Sequence, residues 1–387
     1  MCWVSTSVHR AQASLSWTEK IYSVAAACVT HRSRGLTIRM CVRRHVWSIG
    51  RQLLDSFKTQ ILDGRATADI VLEELRVEVS SKRGLWGRSP RLGVILAGDC
   101  PQSRKYVEIK NKAAEYIGIE CVNLYLDEDE KRIEREVLNL VQDDSIDGVL
   151  VQLPLPRNVS QDKILSLVPA EKDVDGFHPQ NLGLLALQQL STLRPWEKRF
   201  ARIEEREERV VQESRYEGIV PCTAKAVISL LDRFDIQIKG KKAVVLGRSS
   251  IAGLPITLLM MHRGSLITNC DLNSSETLVK RVCQEADIIV SAAGCPSLID
   301  SSWLKSGVVL VDVGFNVLEG GSVCGDVNFD EVMTSGKASW ITPVPGGIGP
   351  MTVAMLMDNT IQNATRNLSP ETLESHPRFK TLDDLNL

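Results

Sequence analysis

The chain has 387 residues, 43% of them hydrophobic and 24% charged, with a mean hydropathy of −0.05. Those values suit about two or three globular domains and exclude a collagen, a coiled-coil rod and a wholly disordered chain. A net charge of −2 and a pI of about 6.4 argue against a strongly basic nucleic-acid binder, and no run of 18 apolar residues is present to span a membrane, so neither partner is expected.

The charge is unevenly spread. Residues 1–54 carry Arg10, Lys20, Arg32, Arg34, Arg39, Arg43, Arg44 and Arg51 against the single acid Glu19. An Arg- and Ser-rich, acid-poor start without a continuous apolar core reads as an organellar transit peptide over residues 1–57 or as a basic tail. The mitochondrion is the expected destination, with plastid and cytoplasm as alternatives. Ten cysteines are scattered with no C-x-x-C pair, which excludes zinc-ribbon and thioredoxin readings.

From residue 60 two periods alternate. Helical spacing over 65–79 is followed by an apolar strand at 92–97 and a helix at 103–117 that Ser103 can cap. A strand at 119–125, a charged helix at 128–142 and a strand at 147–153, stopped by Pro154 and Pro156, complete a β–α–β–α–β order. A second such block runs through 223–234 (helix), 242–246 (strand), 254–262 (helix), 265–270 (strand), 275–285 (helix), 287–292 (strand) and 308–313 (strand). The apolar helix 351–366 must pack between elements. The fold class is therefore α/β with two domains, each built on a mainly parallel sheet. Between the blocks, the mixed charges of 190–217 mark a solvated helix or an insertion, and 367–387 reads as a polar tail.

Several residues stand out chemically. Strand 242–246 runs into Gly247-Arg248-Ser249-Ser250-Ile251-Ala252-Gly253-Leu254-Pro255 and then a helix. The two glycines permit a tight turn and close helix packing, as in a dinucleotide site, although a plain βα turn fits too. Asp271, ending the next strand, suits ribose hydroxyls and NAD, whereas Arg248 and Arg263 suit a 2′-phosphate; Asp271 can also merely open the following turn. Tyr106 and Lys110 share one helix face, where they can stack a flat ring and move a proton or simply lie on the surface. Gln152 lies inside an apolar run at a strand end, as a site residue or a satisfied core amide. Asp173 and Asp175, two apart, can cap a loop or grip a heterocycle. A metal is not expected there, His178 being a lone further ligand. Three Gly and three Pro within 342–350 point to a backbone that approaches a ligand closely.

Together the strings SRKYVEIKNKAA, DGVLVQLPLP, EKDVDGFHPQNLG, VPCTAKA, VVLGRSSIAGLP, ADIIVSAAG, VDVGFN, GDVNFDEV and ITPVPGGIGPMTVAMLM closely resemble the methylenetetrahydrofolate dehydrogenase/methenyltetrahydrofolate cyclohydrolase family, in the family's order and across about residues 58–365. The resemblance implies a folate-binding catalytic domain of three α/β layers (58–185 with 348–366), a Rossmann-like NAD(P)-binding domain (218–347) and a cleft between them. It implies oxidation of 5,10-methylenetetrahydrofolate with NADP or NAD, then hydrolysis to 10-formyltetrahydrofolate, in a homodimer acting on folates that carry polyglutamate tails or lack them. By resemblance, Lys110 is the catalytic lysine, Gln152 tunes it, Tyr106 stacks on the folate and Asp175 grips the pterin. Pro345, Gly346 and Gly347 line the substrate sites; Gly247, Arg248, Ser249, Ile251, Gly253, Asp271, Ala293 and Gly294 fall in the dinucleotide site.

The chain departs from the family pattern in four ways. The 190–217 segment is inserted. The usual P-C-T-P-K-G reads with Ala224 and Ala226. Asp271-Leu272 replaces the His-Ser of NADP-preferring members. The formate-ligase domain of trifunctional relatives has no counterpart here. A monofunctional NAD-linked dehydrogenase and a non-catalytic folate-binding paralogue are the rival readings.

Overall fold

The computed structural model describes residues 59–187, 218–271, 273–319 and 321–366. The basic leader, the 190–217 insertion, Leu272 and the polar tail lie outside the described residues.

Strand β1 (Gln60–Ile61) leads into α1 (Gly64–Trp86), whose N-terminus is capped by Asp63 accepting from Ala66 N at 2.9 Å. Next come β2 (Arg91–Ala97), α2 (Pro101–Ile117), β3 (Glu120–Leu126), α3 (Glu130–Gln142) and β4 (Gly148–Val151). The three strands form a parallel sheet in the order β3-β2-β4. Period-two alternation explains its two covered faces. Leu92, Val94 and Leu96 join the core under α1 and α2, whereas Ile95 and Ala97 join Ile133 and Val137 of α3 on the other side. Helix α2 starts two residues before the expected cap. Cys100 takes the N-cap position and Pro101 the first turn, because proline needs no N–H partner there; Ser103 is buried inside the helix instead.

Two short helices, α4 (Gln161–Leu165) and α5 (Pro179–Ala186), follow. The second lobe then holds α6 (Cys222–Arg233), β5 (Lys242–Leu246), α7 (Gly253–His262), β6 (Leu266–Cys270), α8 (Glu276–Glu285), β7 (Ile288–Ser291), β8 (Val308–Asp312), β9 (Asn316–Val317), β10 (Val323–Cys324), α9 (Phe329–Ser335) and β11 (Ala338–Ile341). Six strands make a wholly parallel sheet in the order β1-β11-β8-β7-β5-β6, while β9 and β10 pair antiparallel. Strand β5 lies between β6 and β7, so the chain reverses direction across the sheet at β5. Ligands of doubly wound sheets bind at that switch point, beyond the strands' carboxyl ends. Strand β1 carries the residues just before α1 to the edge of this second sheet. No helix among the described residues is long and apolar enough to cross a membrane.

The last helix, α10 (Ile348–Arg366), packs against α1, α2 and α6. It begins three residues earlier than its apolar period suggests, taking Gly349 and Pro350 into its first turn, where proline costs no hydrogen bond. One apolar core runs from Leu92 and Val94 of the first sheet through Met351, Leu356 and Ile361 of α10 to Val245, Val290 and Val311 of the second.

A charge is buried within it. Lys225 Nζ lies 2.6 Å from Asp358 Oδ2 and donates to Asn359 Oδ1 at 2.7 Å, with the lysine side chain 2% exposed. Asn359 Nδ2 in turn donates to the carbonyls of Val174 (2.9 Å) and Val220 (3.0 Å). Removing one partner of a buried ion pair strands the other charge. Lys225→Met is expected to cost about 3–5 kcal/mol in urea unfolding, and Lys225→Met/Asp358→Leu to recover most of that loss.

Candidate active site

The helix α2 and the end of β4 bring two sequence candidates together. Lys110 Nζ donates to Gln152 Oε1 at 2.9 Å. The other end of the carboxamide is also fixed, Nε2 donating to the Leu153 carbonyl at 2.6 Å, and Gln152 N donates to the Ile95 carbonyl at 2.8 Å. Gln152 is therefore both a satisfied buried amide and the holder of a lysine. Desolvation lowers the pKa of Lys110, while the neighbouring Asp175 carboxylate opposes the shift.

Asp173 and Asp175, two apart in the sequence, do different things. Asp173 turns inward and accepts from Gly176 N (2.9 Å), His178 N (2.8 Å) and Asn181 Nδ2 (2.9 Å), which ties down the loop behind it. His178 caps α5 by accepting from Gln180 N. Asp175 lies within electrostatic reach of Lys110. Desolvation pushes its carboxyl up to about 7, Lys110 pulling the other way and Asp173 adding to the rise. Two neighbouring groups of opposite sign are thus both perturbed toward their neutral forms, a pattern common at catalytic sites. Among the described residues, no group of three or more His, Cys, Asp or Glu side chains is placed to hold a metal.

One turn before Lys110, the Tyr106 ring meets Phe315 edge-on, with centroids 5.4 Å apart and planes at 72°. Phe315 belongs to the loop between β8 and β9, so this pair spans the two lobes. Burial raises the pKa of the Tyr106 phenol. The loop Pro345-Gly346-Gly347 borders α1, Arg65 N donating to the Gly346 carbonyl at 2.9 Å.

The glycine turn sits at the switch point. A Cβ on Gly247 (φ 112°) would lie 2.2 Å from the Ala292 carbonyl oxygen, and one on Gly253 would lie 2.2 Å from the Gly247 carbonyl oxygen. Only glycine lets β5, the β7 turn and α7 approach so closely. Ser249 Oγ accepts from Ala252 N (3.2 Å) and Gly253 N (3.5 Å), and Ile251 lies in the turn between them. Arg248, Ser249 and Ser250 are exposed at its lip. These residues fit a dinucleotide, with the pyrophosphate at the N-terminus of α7. Arg263, expected as a rival phosphate ligand, is engaged elsewhere: it caps the opposite end of α7 and grips Asp232 with both terminal nitrogens, at 2.6 and 2.7 Å.

Sequence reasoning missed the carboxylates behind this site. Asp326 is fully buried. Its Oδ2 accepts from Ser291 Oγ, Ala293 N and Gly294 N, and its Oδ1 from Cys295 N and Asn316 Nδ2. It thus shapes the turn carrying Ala293 and Gly294. Asp312 accepts from Gly314 N, Asp326 N and Val327 N, and desolvation pushes its carboxyl up to about 6. An acid inside the string GDVNFD gives no local sign that it serves a turn more than 30 residues away.

The fold and the site define a class: a two-lobed α/β enzyme with a dinucleotide turn on one lobe and a paired lysine and carboxamide on the other. Residues 62–175 match the model of the tetrahydrofolate dehydrogenase/cyclohydrolase catalytic domain, and residues 221–368 match that of the same family's NAD(P)-binding domain. Bifunctional protein FolD 4, chloroplastic, of Arabidopsis thaliana is 40% identical over 314 residues, 79% of each chain. The crystal structure of the bifunctional FolD dehydrogenase/cyclohydrolase of Campylobacter jejuni superposes with a TM-score of 0.69 at 38% identity, covering 79% of this chain and 99% of that one. The Trypanosoma brucei enzyme, solved with NADP and an inhibitor, gives a TM-score of 0.69 at 34% identity, covering 80% and 98%. The chain belongs to the tetrahydrofolate dehydrogenase/cyclohydrolase family.

Asp326→Asn replaces an acceptor of five hydrogen bonds by a group with one acceptor oxygen. The dinucleotide KM is expected to rise by about tenfold or more while methenyl-folate hydrolysis persists, measured by the two assays on one preparation. Equal losses in both would mark Asp326 as merely structural.

Proposed function

We propose that the Lys110–Gln152 pair and Asp175 carry out the second of two consecutive reactions at one cleft. The enzyme oxidises 5,10-methylenetetrahydrofolate to the 5,10-methenyl form with NAD(P)⁺ and hydrolyses that cation to 10-formyltetrahydrofolate. The hydrogen bond between Lys110 and Gln152 is the observation that carries this reading. The rival readings, a dehydrogenase without hydrolysis and a non-catalytic binder, leave that buried pair without a purpose.

The oxidised nicotinamide, when bound, accepts hydride from the methylene carbon. Gly247, Arg248, Ser249, Ile251 and Gly253 would hold the dinucleotide, with Asp271, Ala293 and Gly294 at its borders. Asp175 as a carboxylate accepts from the pterin's amino and ring N–H groups, two donors on one edge. Tyr106 stacks on the flat part of the folate, and Pro345, Gly346 and Gly347 line its other side. Lys110 acts in hydrolysis. As water adds to the methenyl carbon, the new C–O bond forms and the amine takes the water proton. The resulting ammonium then gives that proton to N5 as the C–N5 bond breaks, while the hydroxyl proton of the adduct leaves to solvent water and the formyl C=O forms. Desolvation favours the neutral amine needed for the first step, and Gln152 Oε1 accepts from Lys110 so that its nitrogen stays aimed.

Two further features belong to this proposal. The protein acts as a homodimer by family resemblance, which sedimentation velocity reads. The acid-poor leader directs it to the mitochondrion, with the plastid as the alternative. The chloroplastic relative and the Arg-rich composition support import, and the location of a fluorescent protein fused to residues 1–57 tests it.

Lys110→Ala is expected to lower methenyl-folate hydrolysis by about 10²–10⁴-fold, and Lys110→Arg, which stays charged, to do the same. Retained hydrolysis in either, followed by loss of methenyl absorbance, overturns the role.

The pH dependence has a defined sign. Asp175 is raised to about 7, so it is mostly neutral below that pH and grips the pterin only above it. The folate KM is expected to fall as pH rises through about 7, and Asp175→Asn to flatten the profile. In thermal melts of the free protein the sign reverses. The fold favours the neutral acid, so the stability it contributes is lost as pH rises through about 7, relative to Asp175→Asn.

A further inference from the structure

The dinucleotide turn holds an ion pair that the hydride and hydrolysis steps do not use. Gly247 N donates to the Cys270 carbonyl at 2.7 Å, which places Asp271, the next residue, at the lip of the glycine turn. There Arg248 Nη1 lies 3.4 Å from Asp271 Oδ2. The carboxylate is oriented by three further donors: Asn273 N (3.1 Å) and Ser274 Oγ (3.2 Å) to Oδ1, and Asn273 Nδ2 (3.4 Å) to Oδ2. Partial burial works against its charge. The Ser274 hydroxyl, the Asn273 amides and Arg248 outweigh that effect and hold the carboxyl below its ordinary range. Asp271 is therefore an anion at any pH at which the enzyme works. The arginine side chain is 56% exposed and the aspartate 21%, so the carboxylate is the fixed partner and the guanidinium the one drawn to it.

An acid just beyond the second strand of a dinucleotide-binding sheet accepts from the adenosine ribose hydroxyls, and a nearby arginine accommodates a 2′-phosphate. Here both groups are present and satisfy each other. Arg263 does not alter the balance. It is locked to Asp232 at the far end of α7, a helix of ten residues and so about 15 Å from the turn.

We propose that Asp271 makes this dehydrogenase selective for NAD, by presenting a fixed carboxylate to the ribose diol and by occupying Arg248, the cation that a 2′-phosphate would otherwise recruit. A 2′-phosphate entering this position meets a like charge and must break the ion pair to gain its own. The diol of NAD meets an acceptor already in place. This inference rests on the reading of the turn as the dinucleotide site.

The test compares kcat/KM for NAD and NADP in the full-length protein, in Asp271→Ser and in Asp271→Ser/Arg248→Gln. Hydrolysis of methenyl-folate, which consumes no dinucleotide, reports that each variant is folded. The wild type is expected to favour NAD by about tenfold or more, and Asp271→Ser to move the ratio toward NADP by at least about tenfold. Adding Arg248→Gln should remove the gain with NADP, because the freed guanidinium supplies it. A wild type that favours NADP overturns the proposal, as does an unmoved ratio in an Asp271→Ser protein that still hydrolyses methenyl-folate. The wild-type ratio stands as a test by itself if the variants do not fold. Reduction of neither dinucleotide would overturn the dehydrogenase reading, and this selectivity with it.

Discussion

A lysine buried at the junction of three segments holds this molecule in register. Lys225 sits in the core with Asp358 and Asn359, and through Asn359 its position is passed to the carbonyls of Val174 and Val220. Those residues flank Asp175 and Cys222. The loop that presents Asp175 is thus hydrogen-bonded to α10, over 180 residues away. An ion pair in an apolar core is no cheap source of stability. Its value lies in geometry: a buried charge that must keep its polar partners admits few alternative packings. The proposed site needs that restriction, since its groups come from α2, the end of β4, the loop after Asp173 and the loop before α10.

The electrostatics of the cleft follow from the same construction. Lys110 and Asp175 are both desolvated, and each is shifted toward its neutral form. Opposite charges near each other would normally hold each other ionised. Here loss of water outweighs their attraction. Asp173, only two residues from Asp175, turns inward and spends its oxygens on three donors. One carboxylate builds the loop and the other stays close to Lys110.

Much of the fold is legible in the sequence because it rests on short-range periodicity. Strands 92–97 and 242–246 and the helices that follow them show their periods plainly, since both faces of each sheet must be covered. What escapes is short or non-local. Strand β1 has two residues and exists only because β11 offers it an edge. Ser103 is a good cap by type, yet Pro101 starts the helix earlier. Within the site, Lys110, Gln152, Tyr106 and Asp175 are visible through their strings, and the family resemblance already pairs Gln152 with Lys110, but the strings do not reveal that Asp173 and Asp175 part ways. Asp326 is invisible to any local reading, because its five donors are set by the return of the chain beside β7.

The two lobes also differ in how their polar groups are satisfied, and that difference bears on how two reactions share one cleft. On the dinucleotide side the backbone amides of Ala293, Gly294 and Cys295 point at a buried carboxylate, so the turn is rigid before any ligand arrives. Preorganisation of this kind lowers the ordering cost of binding. On the folate side the exposed ring of Phe315 leans on Tyr106 across the gap, and that contact has no hydrogen bonds to fix it. An aromatic pair of this geometry contributes on the order of 1 kcal/mol beyond its buried area, a weak tie across the gap. Stiff anchoring of one partner and a yielding wall for the other suit a site where the dinucleotide must be placed accurately while the folate changes shape from methylene to methenyl to formyl.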